Sequence, residues 1–219
     1  MNKKVVKMSL VDQVYSSIID SIQDGSISQG ERLNIEELAE IFGVSRTPVR
    51  EAINRLFQEG FVEQQYNSGP RVAQFKNKQI IDIIKANTAI FDGVIESYEI
   101  LDRKSYEELT ATLSEIVAGQ REMYSLKDNN EFYILSVKFH IALIEACTNG
   151  VMKKFALQTQ HQINMCALHY QKEDAHRKTS LIEHEGILRA LEEKDLNKAV
   201  ILMKAHNRTA EKVLMGLGN

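Results

Sequence analysis

Apolar residues recur three and four positions apart along most of this chain, first in short stretches and then in long ones. Val11, Val14, Tyr15, Ile18, Ile19 and Ile22 form the first stripe, with Ser9 placed to cap it and Asp24-Gly25 to close it. The segment 26–33 reads as a turn-rich loop. Asn34, with Glu37 three positions on, has the spacing of a capping box and opens a second helix. That helix buries Leu38, Ala39 and Ile41 or Phe42 and ends at Gly43. A third begins around Ser45-Arg46-Thr47-Pro48, because a proline in the first turn loses no helical hydrogen bond. It offers Val49, Ala52, Ile53 and Leu56 to a core and stops at Gly60. The runs 61–66 and 71–75 flank Asn67-Ser68-Gly69-Pro70 and predict a β-hairpin. Three helices followed by a hairpin is the order of a winged helix-turn-helix.

Lys76-Asn77-Lys78 reads as a hinge, and from Gln79 the period is helical. Helices are predicted at 79–102, 105–126, 129–148, 151–172, 177–193 and 196–215. Both prolines, Pro48 and Pro70, lie in the first third, so none interrupts the later helices. The fold class is mainly α: a winged helix-turn-helix over 1–76, then an all-helical six-helix bundle over 77–219. No apolar run nears the roughly 18 residues of a membrane span. The region of Lys3, Lys4 and Lys7 lacks the apolar segment of a secretory signal. Cys147 and Cys166 have no metal-type spacing and read as two reduced, packed thiols. These features place the chain in the cytoplasm.

Charge does not advertise nucleic acid. The formal net charge is −3, and residues 1–75 hold eight Lys/Arg against ten Asp/Glu. DNA binding must therefore rest on where the basic residues lie. Gly43 supplies the corner between two helices, small Ala39 lets them approach, and Val44 plugs the core. The exposed start of the second helix then carries Ser45, Arg46, Thr47 and Arg50. Arginine matches guanine O6 and N7 in bidentate fashion, and Ser or Thr can bond bases or phosphates. Arg46 and Arg50, four apart, share one face. Arg55 reads as solvated or near a phosphate. In the wing, Gly69 permits close backbone approach, while Asn67 and Arg71 are placed for a phosphate or the minor groove.

The helical part holds a second constellation. His140 shares a face with Ser136, Leu143, Ile144 and Cys147. His184 shares one with Ile187, Leu188 and Leu191, and His206 with Ala199, Leu202, Met203 and Val213. A lone histidine on an apolar face is usually a hydrogen-bonded core residue. Three from three helices are a candidate metal site, since neutral imidazole ligates zinc, nickel, copper or iron. His161, His169 and His176 share no such face. Glu183 and Glu185, flanking His184, are expected to point elsewhere.

Together, Gly30-Glu31-Arg32-Leu33, Leu38-Ala39-Glu40, the run Phe42-Gly43-Val44-Ser45-Arg46-Thr47-Pro48-Val49-Arg50-Glu51-Ala52, Leu56, Glu59-Gly60-Phe61-Val62 and Gly69 resemble the GntR family of regulators. The resemblance implies operator contacts at Arg46, Thr47, Arg50 and the wing glycine, and a homodimer on a palindromic operator. Family members with an arginine where this chain has Glu36 make a further contact, which is missing here. Phe139-His140, the run Glu183-His184-Glu185-Gly186-Ile187-Leu188-Arg189-Ala190-Leu191, and Met203-Lys204-Ala205-His206 resemble the FCD effector domain of the FadR-type branch, in its six-helix VanR-like form. That resemblance implies a divalent metal, zinc or nickel first, held by His140, His184 and His206. It also implies a small carboxylate effector in the bundle.

Three positions depart from the family. Ser136 stands where an aspartate ligand precedes the first histidine by one turn. A cation there lacks its negative ligand, which implies weaker binding, a water as fourth ligand, reliance on an anionic effector, or no metal at all. Asn87 stands where relatives often carry arginine, and Asp92 where they often carry glutamate. Ser136, Asn87 and Asp92 are the effector-facing candidates. The combined expectation is a DNA-binding transcriptional regulator under effector control. The alternative is a metal-dependent enzyme in which three histidines activate water, an account that leaves the winged helix without a role.

Overall fold

In the computed structural model, which describes residues 8–65, 69–167 and 174–216, Ser9 accepts from the backbone N–H of Asp12 and starts α1 (Leu10–Gln23). Its stripe buries Val14, Ile18, Ile19 and Ile22. Asn34 caps α2 (Ile35–Phe42) by accepting from the Glu36 N–H, two residues on. Leu38 and Ala39 are buried there, Phe42 is half-buried, and Ile41 is exposed. Gly43 ends α2 at φ +63, a left-handed conformation that suits glycine, and the next N–H, of Val44, returns to the Ala39 carbonyl. This tight corner leads into α3 (Arg46–Gln58), which buries Pro48, Val49, Ala52, Ile53 and Leu56.

The hairpin follows as β1 (Val62–Gln65) and β2 (Gly69–Val72), antiparallel with Val62 opposite Val72 and Gln65 opposite Gly69. The turn residue Asn67 lies outside the described residues. On its other side β2 is tied to the loop before α2. Leu33 N–H donates to Pro70 O, Val72 N–H to Glu31 O and Gly30 N–H to Val72 O. The predicted loop is therefore a third, short rail of the wing. Phe61, Val62 and Val72 seal the hairpin against the helices.

The chain forms two compact units, Met1–Phe75 and Lys76–Asn219. The second comprises α4 (Asn77–Glu96), a 3-10 turn (Ser97–Ile100), α5 (Arg103–Leu126), α6 (Asn129–Glu145), α7 (Gly150–Ala167), α8 (Asp174–Glu192) and α9 (Leu196–Leu214). Asp102, Asp128 and Asp195 cap α5, α6 and α9 by accepting from backbone N–H groups three residues on. α5 packs on α6 and α8, α4 on α7 and α9, and α8 on α9. Phe91, Leu113, Phe139, Leu143, Ile187 and Leu191 belong to the shared core.

The first of these helices is shorter than its apolar pattern predicts. Ser97 Oγ donates to the Val94 carbonyl, a local bond that competes with helix continuation. The chain tightens into the 3-10 turn and carries Tyr98 into the core, where its hydroxyl donates to Leu143 O.

Candidate DNA-reading face and ligand-binding core

The start of α3 exposes Ser45, Arg46, Thr47 and Arg50, and Arg46 and Arg50 share one face. Behind them Val49 and Ala52 are fully buried, so the helix is held rigidly by one face and offers the other to a partner. Arg46 Nη1 lies 3.2 Å from Glu36 Oε1 on α2. The position at which the resemblance places an extra arginine thus supplies an acidic partner to Arg46, a candidate DNA contact.

Other basic residues of this unit have structural duties. Arg55, expected to be solvated or near a phosphate, clasps α3 to α1. Its guanidinium meets Asp12 Oδ1 at 3.0 Å and Glu59 Oε1 at 3.1 Å, and lies 4.0 Å over the Tyr15 ring. The Tyr15 hydroxyl donates to Glu59, and burial followed by that carboxylate pushes its ionisation well up. Arg71, expected in the wing's contact set, is half-buried and donates through Nη1 to Gly30 O at 3.0 Å, bracing the rail that carries the wing. Gly69 sits at φ +77, where glycine is favoured. A Cβ there would meet Arg32 Nε at 3.6 Å and Nη2 at 3.8 Å, ordinary contacts among the described residues, so the backbone conformation favours glycine. Arg32 is an exposed cation beside the wing that periodicity does not single out, although it lies in the run Gly30-Glu31-Arg32-Leu33 that carries part of the family resemblance.

In the helical unit, α6, α8 and α9 bring His140, His184 and His206 together. One nitrogen from each lies within 4.8 Å of the others, and all three side chains are buried. Each ring is oriented by its surroundings. Gln120 on α5 donates through Nε2 to Ser136 Oγ at 2.8 Å, so its Oε1 accepts from His184 Nδ1–H at 3.1 Å. His184 Nε2 is left buried with no hydrogen-bond partner. Phe139 stacks on the same ring at 4.1 Å between centroids. His206 Nδ1 lies 2.7 Å from Glu183 Oε2, a geometry that places its proton on the carboxylate side. His206 Nε2 then faces His140 Nε2 at 3.2 Å. Burial, and then the neighbouring imidazoles, push His140 and His184 well below the ordinary histidine range. Both are neutral near pH 7, the form that ligates metals.

Gln120 and Glu183 are the two residues here that sequence reasoning missed. Gln120 is a fully buried amide in a long helix, and nothing local marks it. Glu183, expected to point elsewhere, turns inward, accepting from His206 and from Thr209 Oγ1 at 2.7 Å. Glu185 does point outward, to Arg121 at 2.6 Å.

Two adjoining chambers of about 140 and 150 Å³ flank the cluster and share Tyr133, Ser136, Ile163, Ser180, His206 and Ala210. His140 lines the first, and His176 the second. His169 lies outside the described residues. Ser136 is thus on the cavity wall, one turn before His140, and its hydroxyl donates to Phe132 O. The other two effector-facing candidates are placed elsewhere. Asn87 is fully buried facing α7, where Nδ2 donates to Thr159 Oγ1 at 3.0 Å. Asp92 pairs with Lys204 on α9 at 2.8 Å. Neither lines a chamber.

The enzyme alternative needs a general base beside the histidines. Glu183 is the carboxylate there, and both its oxygens already accept hydrogen bonds.

The sequence model described as bacterial regulatory proteins, gntR family, matches residues 10–72, and that of the FCD domain matches 101–209. A type II intron maturase model also matches 42–111, a span that crosses the boundary between the two compact units and corresponds to neither. The chain is 26% identical over 194 residues to the transcriptional regulator YdhC of Bacillus subtilis, covering 89% of this chain and 86% of the relative. It is 28% identical to the gluconate operon transcriptional repressor of Bacillus licheniformis, covering 80% and 72% respectively. The fold of Escherichia coli McbR/YncC superposes with a TM-score of 0.81 at 20% identity, covering 97% of this chain and all of that one. Among the described residues no helix is long and apolar enough to cross a membrane. With a helix-turn-helix in one unit, a cluster of three buried histidines in the other and regulators rather than enzymes for relatives, the chain belongs to the GntR family: a DNA-binding transcriptional regulator with a winged helix-turn-helix and an FCD effector domain.

Proposed function

We propose that this regulator reads a palindromic operator as a homodimer in the cytoplasm, through Ser45, Arg46, Thr47 and Arg50 of each α3, with Gly69 bringing the wing to the backbone. A small carboxylate effector in the FCD cavity controls that binding. The observation that carries the effector half is the convergence of His140, His184 and His206 beside two chambers. To regulate, the effector must bind one arrangement of the dimer better than another, whatever its absolute affinity.

The three histidines suit a divalent ion, zinc or nickel. His184 offers an unpartnered, buried Nε2, and its other nitrogen is fixed by Gln120. Glu183 behind His206 forms the carboxylate–imidazole pair that typically backs a metal ligand. An ion held there supplies a fixed positive charge to an anionic effector oxygen. Ser136 contributes a neutral hydroxyl already bonded to Gln120 and Phe132, so the effector's own carboxylate is the natural source of the missing negative ligand.

Fluorescence anisotropy on a labelled fragment of the protein's own promoter tests the reading head. Arg50→Ala should lower specific affinity at least tenfold with an unchanged melting temperature. Retained affinity would show that the head is misassigned. Elemental analysis after zinc or nickel reconstitution, with His184→Ala as control, tests the metal. Absence of stoichiometric metal would favour a regulator whose histidines bond the effector directly.

A further inference from the structure

We infer that Arg32 is a further DNA contact of this regulator, the wing's cation for a backbone phosphate of the operator. This rests on the reading of α3 and Gly69 as the DNA-facing surface, and adds a residue to it. The rail of residues 30–33 pairs with β2 so that Arg32 stands directly opposite Arg71. Side chains opposite each other in an antiparallel pair share one face of the sheet. Leu33 and Val72, on the other face, are buried, which leaves both arginines on the outer one. The two guanidinium groups then diverge. Arg71 turns along the rail to Gly30 O, away from the end at which the hairpin closes, and its Nε is shut off from solvent. Arg32 turns the opposite way, toward Gly69, where β2 begins, with Nε and Nη2 in contact range of the position a Cβ would take.

Arg32 has no structural duty that would explain it. It is exposed, and among the described residues its side chain makes no ion pair and no hydrogen bond, whereas Arg46, Arg55 and Arg71 each have a protein partner. Glu63, an acid on the same face, stands opposite Arg71 on β1, the strand beyond β2. The backbone that carries Arg32 is nevertheless fixed at both ends. Leu33 N–H donates to Pro70 O in the wing, and Asn34 caps α2 of the helix-turn-helix. Wherever Gly69 meets the duplex, the Arg32 guanidinium arrives with it. A planar fork with its donors unspent matches the paired oxygens of a phosphate. Such a contact fixes the protein on the duplex without reading sequence. In a unit with eight Lys/Arg against ten Asp/Glu, one uncompensated arginine at the wing carries real electrostatic weight.

Fluorescence anisotropy of the full chain on the promoter fragment and on random duplex, from 50 to 200 mM salt, is the test. Arg32→Gln should weaken both duplexes by the same factor, about five- to tenfold at the low-salt end. It should also flatten the log–log salt dependence by about one unit per bound protomer, with an unchanged melting temperature. Arg32→Lys, which keeps the charge, should keep the slope. Arg71→Met should do the reverse of Arg32→Gln, lowering the melting temperature through the lost bond to Gly30 O and leaving the slope as it is. An unaltered slope in Arg32→Gln, a loss confined to the promoter fragment, or a slope lost in Arg71→Met instead would overturn the inference. Arg50→Ala, measured alongside, separates it from the reading beneath it. If Arg50→Ala loses promoter affinity and Arg32→Gln does not, Arg32 alone is misassigned; if neither does, the DNA-facing surface as a whole is.

Discussion

Glu36 on α2 holds the guanidinium of Arg46 at the start of α3, with Oε1 and Nη1 3.2 Å apart on the exposed face of the helix-turn-helix. The two side chains are 56% and 66% exposed, so the pair adds little to stability. In the proposed DNA complex its effect is on binding, because it would mask one of the two arginines assigned to the operator and put a negative charge where phosphates would approach. Glu36→Gln should raise affinity for random duplex several-fold and steepen the salt dependence by about one unit of log–log slope. Anisotropy from 50 to 200 mM salt measures both. An unchanged slope would mean that Arg46 leaves Glu36 without cost on binding.

Arg50 and Arg55 lie five residues apart on one helix and should respond oppositely. Arg55 is enclosed by Tyr15, Glu59 and Asp12. Arg55→Ala should destabilise the DNA-binding unit by about 1 kcal/mol, a value kept small by partial solvent screening. Below the melting transition it should leave promoter affinity within twofold. Thermal melts paired with anisotropy on both variants separate the roles, and a large affinity loss in Arg55→Ala without destabilisation would contradict the clasp.

Gln120 sets the tautomer of His184, and Ser136 stands where the family resemblance implies a carboxylate ligand. Gln120→Leu should weaken zinc binding by about 10- to 100-fold, in the range for lost ligand-orienting partners. Ser136→Asp should strengthen it by tenfold or more, by adding an anion one turn before His140. Competition with a chromogenic chelator measures each. Indifference to both substitutions would place the ion elsewhere.

The buried imidazoles should also make the ion-free protein acid-sensitive. His140 and His184 are held below the ordinary range by burial first and neighbouring imidazoles second. An unfolded histidine titrates near 6.5. Below that pH the unfolded chain binds protons that the folded chain refuses, so stability is full above about pH 6.5 and falls as pH drops. The slope reaches at most about 1.4 kcal/mol per pH unit for each histidine. Urea midpoints of chelator-treated protein at pH 7.5, 6.5 and 5.5 should show it, and His184→Gln should flatten it. Equal slopes in the two proteins would refute the assignment.

Legibility differed between the two units for a physical reason. A helix-turn-helix is built from local signals. Cap, glycine corner and apolar stripe lie within a few residues of one another, so α2, the corner at Gly43 and the exposed start of α3 could be read directly from residues 34–58. That Arg46 and Arg50 share one face follows from helical geometry alone. The three histidines were also visible, because each interrupts an apolar stripe. Their convergence was open, since it depends on how α6, α8 and α9 pack.

The partners of those residues were decided only by tertiary structure. Gln120 reaches His184 across 64 positions, and Arg55 reaches Asp12 across 43. Arg71 turned out to brace Gly30, and Asp92 to pair with Lys204. Which face of α4 meets α7 or α9 is a packing outcome, and it set Asn87 against Thr159. The sequence by itself determined which residues can bond; their spacing across helices, fixed by core packing, determined which ones do.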